Sequence, residues 1–296
     1  MAAQKPPSFT FDAHGGVSDA MRDAWERDGA VCVRGLFNSA ELDAVRAGID
    51  HVLAHPSPSA IVASASDDAG LFVEDFCRDD VAQFSDVCRN SAAARVAGEL
   101  LRASRVRLYH THVLVKEPRT AAATPWHQDE PYYNIEGMQT LSAWCPVDDV
   151  PRASSLQLLA GSHRTGPFLP RTFKDGRAAW WPEGSLPELP PLPPPGVAAL
   201  SAPPPGQRVL SWAMTPGDAV LFHFRTVHGA GGVAGEGRRR VLSIRFTGDD
   251  VVHAPRPWRT SPQFDGLDTE LPAGAPLEHA RFPLLWARDS SAACVV

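Results

Sequence analysis

The chain has 296 residues, 44% hydrophobic and 21% charged, and its 28 Lys/Arg against 34 Asp/Glu give a formal net charge of −6. That supplies ample apolar material for a core. With Arg238-Arg239-Arg240 the one sustained basic run, better read as a strand entrance, nucleic acid and anionic membranes are not expected partners.

No apolar stretch is long enough to span a bilayer, and Met1-Ala2-Ala3-Gln4-Lys5-Pro6-Pro7 lacks a signal-peptide core, so a cytoplasmic protein without membrane insertion is expected. The five cysteines, Cys32, Cys77, Cys88, Cys145 and Cys294, are odd in number, far apart and read as reduced structural thiols.

In chain order, residues 1–104 read as a mainly helical support with one early strand, Ala30-Val31-Cys32-Val33. Asn38 and Glu41 form a capping pair, after which Leu42, Val45, Ile49, Val52 and Leu53 make an apolar stripe at helical spacing. Val81 to Leu101 is a further helical stretch interrupted near Asn90. From Arg105 strands take over, the clearer ones being Val106–Leu108, His112–Val115, Leu141–Trp144 and Val209–Trp212. Gly217–His223 reads as a turn followed by a buried strand, and Arg240–Phe246 alternates polar and apolar as a half-buried strand does.

Between Pro167 and Pro205 the chain is proline-rich, and this insertion reads as a surface lid in preference to a docking sequence for a polyproline-binding module. Trp180 and Trp181 would then cover a pocket or staple the loop. Gly229-Ala230-Gly231-Gly232-Val233-Ala234 fits a permissive dinucleotide fingerprint. An arginine run and a strand follow where a helix is required, so it reads as a flexible loop. Residues 251–296 carry aromatic anchors with little periodicity and are expected to wrap the core.

The chemistry concentrates in Trp126-His127-Gln128-Asp129. On a strand, residues i and i+2 share a face, so His127 and Asp129 can grip one metal ion while Gln128 points elsewhere, and His228 can complete the set. Two imidazoles and a carboxylate on one face of an octahedral ion are the ligands of non-haem Fe(II) oxygenases. If the cosubstrate is 2-oxoglutarate, its distal carboxylate needs a bidentate cation, and Arg239, eleven residues after His228, is placed to return on the next strand. His110, His163 and His223 read as hydrogen-bonded structural histidines.

Leu114-Val115-Lys116-Glu117-Pro118, Thr124 through Asn134, Ser142-Ala143-Trp144, Gly161-Ser162-His163, Gly217-Asp218-Ala219, His228-Gly229 and Arg239 through Asp250 occur in an order that resembles the phytanoyl-CoA dioxygenase family, in its small-molecule-metabolising branch. The resemblance implies one catalytic domain over 1–296, built on a double-stranded β-helix at 105–250, mainly β with flanking helices. It implies that His127, Asp129 and His228 hold Fe(II), that Arg239 clamps 2-oxoglutarate, and that dioxygen is consumed.

Trp144 matches a pocket tryptophan, His112 falls on a cosubstrate-contacting strand position, and Gln128, inside the metal motif, is counted with the cofactor-binding set. Tyr132, Tyr133 and Asn134 follow directly and are candidates to face substrate. Relatives often place Ser or Thr where this chain has Ala230, a loss of about 1 kcal/mol that Arg239 can tolerate.

The implied reaction is hydroxylation, or another oxidation, of an unactivated C–H in a small organic metabolite, with release of succinate and carbon dioxide. Halogenating relatives replace the carboxylate by Ala or Gly, so Asp129 favours hydroxylation or desaturation. No Lys/Arg cluster suited to coenzyme A phosphates is evident. A non-oxidative cupin isomerase would keep the metal ligands without needing Arg239, and a non-catalytic sensor would act through the proline-rich insertion.

Overall fold

A computed structural model describes residues 6–14, 16–64, 68–78, 80–173, 177 and 181–288. Trp180 and Cys294 lie outside these. The elements run β1 (Ser8–Thr10), α1 (Asp19–Asp28), β2 (Ala30–Arg34), α2 (Ser39–Ala54), β3 (Ile61–Val62), β4 (Phe72–Phe76), α3 (Ala82–Asn90), α4 (Ala93–Leu101) and β5 (Arg105–Lys116). They continue with β6 (Thr124–His127), β7 (Ile135–Glu136), β8 (Thr140–Pro146), β9 (Leu156–Leu159), α5 (Val197–Ser201), β10 (Val209–Leu210), β11 (Ala219–Phe222) and β12 (His228–Ala230). The last are β13 (Arg239–Thr247), β14 (Val252–His253), α6 (Leu267–Glu270) and β15 (Leu284–Ala287).

Local sequence accounts for the helices. Ser18 caps α1 by accepting from the Met21 amide, and the expected Asn38/Glu41 pair forms a full capping box on α2. Val45, Ile49 and Val52 then point into a core shared with Phe84, Val96 and Leu100 of α3 and α4. The helical stretch near Asn90 breaks at Ser91-Ala92, as expected.

Two sheets form a jelly-roll. The large one has the order β1-β2-β11-β8-β13-β5-β4-β3, with β15 pairing to the other half of β5, and the small one has the order β10-β9-β12-β6. Alternation along β13 divides the large sheet: Leu242 and Ile244 join the helix-side core, whereas Arg239, Ser243 and Arg245 line a cavity on the opposite face. Register carries this face across the sheet, with Phe76 beside His112, His112 beside Ser243, and Ser243 beside Trp144.

Several expectations need correction. The first hundred residues are not only a helical support, because β1 to β4 extend the large sheet and β4 brings Glu74 and Phe76 to the cavity. The strand over Arg240–Phe246 is buried on both faces beyond Arg240, with Ser243 and Arg245 facing the cavity in place of bulk water. Strand pairing stops at Leu210, and the Trp212 indole instead donates to the Pro6 and Pro7 carbonyls.

The glycine-rich segment after His228 begins as strand and lies close against its neighbours. A Cβ on Gly229 would sit 2.9 Å from the Thr124 carbonyl oxygen, and one on Gly232 would sit 2.5 Å from that of Thr120. Glycine lets the chain pass there. The tail does wrap, through β15 and through a cluster of Phe264, Leu267, Leu271 and Phe282 around Tyr109. Among the described residues no helix is long and apolar enough to cross a membrane.

Candidate metal and cosubstrate site

The mouth of the jelly-roll holds His127, Asp129 and His228, whose ligand atoms all lie within 4.8 Å of one another. His127 and His228 are directly opposed partners in the β6/β12 pair, which brings their rings to 4.1 Å between centroids. Each Nδ1 lies 2.8 Å from a backbone carbonyl, of Pro125 for His127 and of Thr226 for His228. A carbonyl can only accept, so each Nδ1 carries the proton and each Nε2 offers its lone pair to a common point, 3.7 Å from Asp129 Oδ1 in both cases.

Asp129 reaches that point differently from the expected strand alternation. β6 ends at His127, and Asp129 has helical backbone angles at the head of a short 3-10 turn over Glu130–Tyr132. Its amide donates to the Phe224 carbonyl, which fixes the turn. Its Oδ2 accepts from Ser142 Oγ at 2.8 Å and lies 3.3 Å from Arg245 Nη2.

Burial alone would raise the Asp129 pKa, but Arg245, the two imidazoles and the Ser142 bond hold it below the usual carboxylate range. Burial, with His228 alongside, pushes His127 down to about 3, and burial lowers His228 too. An ionised carboxylate and two neutral imidazoles are the protonation states a divalent ion requires.

The cavity between the sheets, about 230 Å³, runs from this cluster to Arg239. Arg239 is 3% exposed and sits 5.9 Å from the Trp144 ring. Its Nη1 donates to the carbonyls of Ser154 and Gly231, while its Nε has no partner. Among the described residues no carboxylate pairs with it, and burial pushes its pKa down to about 10. A buried guanidinium without an anion, at the end of a cavity whose other end is a metal-ligand cluster, fits a small dianion that chelates through its near end. Trp144, Leu156 and Ala230 form walls beside it.

Of the other anticipated residues, His112, Tyr132 and Tyr133 line the cavity. Gln128 and Asn134 do not, and both assignments are corrected. The Gln128 amide donates to the Arg225 carbonyl at 2.8 Å and accepts from the Phe168 amide at 2.8 Å, tying down the loop behind the metal cluster. Asn134 Oδ1 accepts from Tyr109 and its Nδ2 faces His253 in the tail cluster, outside the cavity. His110 and His223 behave as structural histidines, each with a backbone partner.

Sequence reasoning missed Glu74, Phe76, Ser142, Arg245 and the segment Arg171-Thr172-Phe173, which reaches in from the proline-rich insertion to place Phe173 4.7 Å from the His127 ring. The insertion is therefore a wall of the cavity. Its proline run is pinned by the Trp126 indole to the Pro193 carbonyl, and Trp181 staples it through Pro131 while packing on Trp258.

A jelly-roll with a convergent two-histidine, one-carboxylate cluster at its mouth defines a cupin-type metalloprotein site. The family model for phytanoyl-CoA dioxygenase matches residues 25–241, and the chain belongs to that family. A probable phytanoyl-CoA dioxygenase of Caenorhabditis elegans is 27% identical over 186 residues, 60% of this chain and 54% of that protein, so the match spans about half of the relative's length.

Two solved structures share the fold. The non-haem α-ketoglutarate-dependent carbocyclase SnoK from nogalamycin biosynthesis is 23% identical, covering 91% of this chain and 97% of its own, with a TM-score of 0.67. The epimerase SnoN, solved with Fe3+, α-ketoglutarate and nogalamycin RO, is 22% identical, covering 90% and 98%, with a TM-score of 0.69.

Proposed function

We propose that the protein is an Fe(II)- and 2-oxoglutarate-dependent dioxygenase that oxidises a C–H bond of a small organic metabolite. The observation that carries this reading is the pairing, in one cavity, of a convergent His127/Asp129/His228 set with the anionless guanidinium of Arg239. A cupin isomerase would need the first and not the second.

When bound, iron with 2-oxoglutarate and dioxygen supplies the oxidising power, with succinate and carbon dioxide as coproducts. The protein supplies position. His127, Asp129 and His228 hold the metal, and Ser142 and Arg245 fix the carboxylate on it. Arg239, against Trp144, holds the distal carboxylate of the cosubstrate. Tyr132, Tyr133 and Phe173 enclose the space over the metal and exclude water from it. A carboxylate at Asp129, where halogenating relatives carry Ala or Gly, would serve as a third ligand and favours hydroxylation or desaturation over halogenation. The complex of SnoN with Fe3+, α-ketoglutarate and nogalamycin RO agrees with this reading.

The test is an anaerobic titration of the metal-free protein with Fe(II) and 2-oxoglutarate. A weak visible charge-transfer band is expected, and it should be absent in His127→Ala. Iron binding without the band would place the protein in another class of metalloprotein and remove the assigned roles of Arg239 and Trp144.

A further inference from the structure

Charge pairing in the cavity leaves one group over. Asp129 lies against Arg245, Arg171 bonds to Glu188, and Arg239 is matched to the cosubstrate in the reading above. Glu74 lines the same cavity, 3% exposed, with no ion pair to any Lys or Arg among the described residues and with Oε1 bonded to nothing. Lys116 acts on it only through space, since its Nζ donates to the carbonyls of Ala122 and Gly231.

Across the sheet, Glu74 Oε1 stands 3.6 Å from His112 Nε2, too far for a good hydrogen bond, and neither ring nitrogen of His112 has a partner. Buried polar atoms left unpaired in a folded chain are costly, and these three, each closed to solvent, belong to two residues that line a wall shared with the metal cluster, where a small turn of either side chain would present them to the cavity. Around them the wall is apolar: Phe76 stacks on His112 at 4.0 Å, Leu114 is beside it, and Ile61 and Val62 carry the same surface out to solvent at 47% and 58% exposure.

We propose that Glu74 and His112 form the polar anchor of the substrate subsite, and that the substrate is a cationic amine carried on an apolar body. The ammonium sits between the carboxylate and the neutral imidazole, donating one hydrogen to each, while the apolar remainder lies on Phe76, Leu114, Ile61 and Val62. A hydroxyl would satisfy the hydrogen bonds and leave the buried negative charge uncompensated; an ammonium does both. Burial holds Glu74 up at about 7, so its carboxyl is partly protonated near neutral pH and an ammonium beside it would draw it fully to the carboxylate, while burial keeps His112 well below its ordinary value and uncharged. His112 thereby faces substrate and not cosubstrate.

This inference deepens the proposed function and rests on it for the meaning of the subsite. Its test uses hexylammonium against hexan-1-ol, measured by anaerobic calorimetry both on protein loaded with Fe(II) and 2-oxoglutarate and on metal-free protein. Wild type is expected to bind the amine at least 10-fold more tightly than the alcohol. Glu74→Gln should abolish that preference and His112→Asn reduce it several-fold, both retaining the visible Fe(II)–2-oxoglutarate band and its midpoint. Equal binding of alcohol and amine by wild type would overturn the assignment, as would undiminished amine preference in Glu74→Gln. If wild type shows no band, the oxygenase reading fails, and the amine preference of metal-free protein decides the subsite by itself.

Discussion

Single side chains set the strength of the two binding centres separately. Arg239 has no anionic partner among the described residues, so its interaction with a dianionic cosubstrate is new energy on binding and no exchange of one ion pair for another. Arg239→Ala should raise the 2-oxoglutarate midpoint of the visible band by about 100-fold, and Arg239→Lys by about 10-fold because an ammonium cannot reproduce the fork. Fe(II) affinity should be unchanged in both. A cosubstrate midpoint that stays at the wild-type value would remove Arg239 from the site. The complementary change is Ser142→Ala, which deletes the 2.8 Å bond to Asp129 Oδ2. Outer partners of a metal ligand typically contribute 10-fold or more to affinity, so Fe(II) should bind about 10-fold more weakly while cosubstrate binding to the iron-loaded form holds.

At the scale of elements, one buried side chain adds to the two tryptophan pins of the proline-rich wall. Gln157 on β9 accepts from the Gly196 amide and donates to the Gly196 carbonyl, at 2.9 Å in each direction. Gln157→Ala strands both backbone groups, about 1–3 kcal/mol each, and should loosen the segment from the small sheet. Limited proteolysis within 190–205 is expected to accelerate several-fold, with Fe(II) and 2-oxoglutarate binding intact; an unchanged cleavage rate would mean that Trp126 and Trp181 suffice to hold it. The elements also explain what the sequence made legible. His127, Asp129, His228 and Arg239 stand out because each is flanked by local pattern: a strand, a turn, a buried run. Glu74 does not, because Phe72-Val73-Glu74-Asp75-Phe76 puts two acids side by side, and alternation says that they face opposite ways without saying that both faces are buried. Asp75 is in fact paired with Arg78 and Ser57 on one side, and Glu74 faces the cavity on the other. Arg245 was hidden the same way, its polar position on β13 reading as solvent-facing. Arg171 to Phe173 come from an insertion that has no periodicity at all.

Over the whole molecule, histidines buried inside a β shell make stability depend on pH. Burial pushes His110 down to about 3 and His223 to about 4, with His112 moved the same way. Below about 6.5 the unfolded chain therefore binds protons at these positions that the folded one refuses, and stability falls as pH drops from 6.5 toward the folded values. At about 1.4 kcal/mol per pH unit, His110, His127 and His223 together cost roughly 6 kcal/mol by pH 5. Glu74 runs the other way. Burial raises it from 4.5 to about 7, so the folded state takes up its proton before the unfolded state does, and the penalty of burying the carboxylate is relieved across the same window. That offsets roughly 2 kcal/mol by pH 5, leaving a net loss of about 4 kcal/mol to which His112 and His228 add. Calorimetric unfolding of the metal-free protein should show a melting temperature about 5 °C or more lower at pH 5 than at pH 7. Glu74→Gln, which removes the offset, should steepen that fall. A melting temperature that stays flat or rises over this range would mean that the imidazoles are protonated within the fold, and that water or a carboxylate reaches them there.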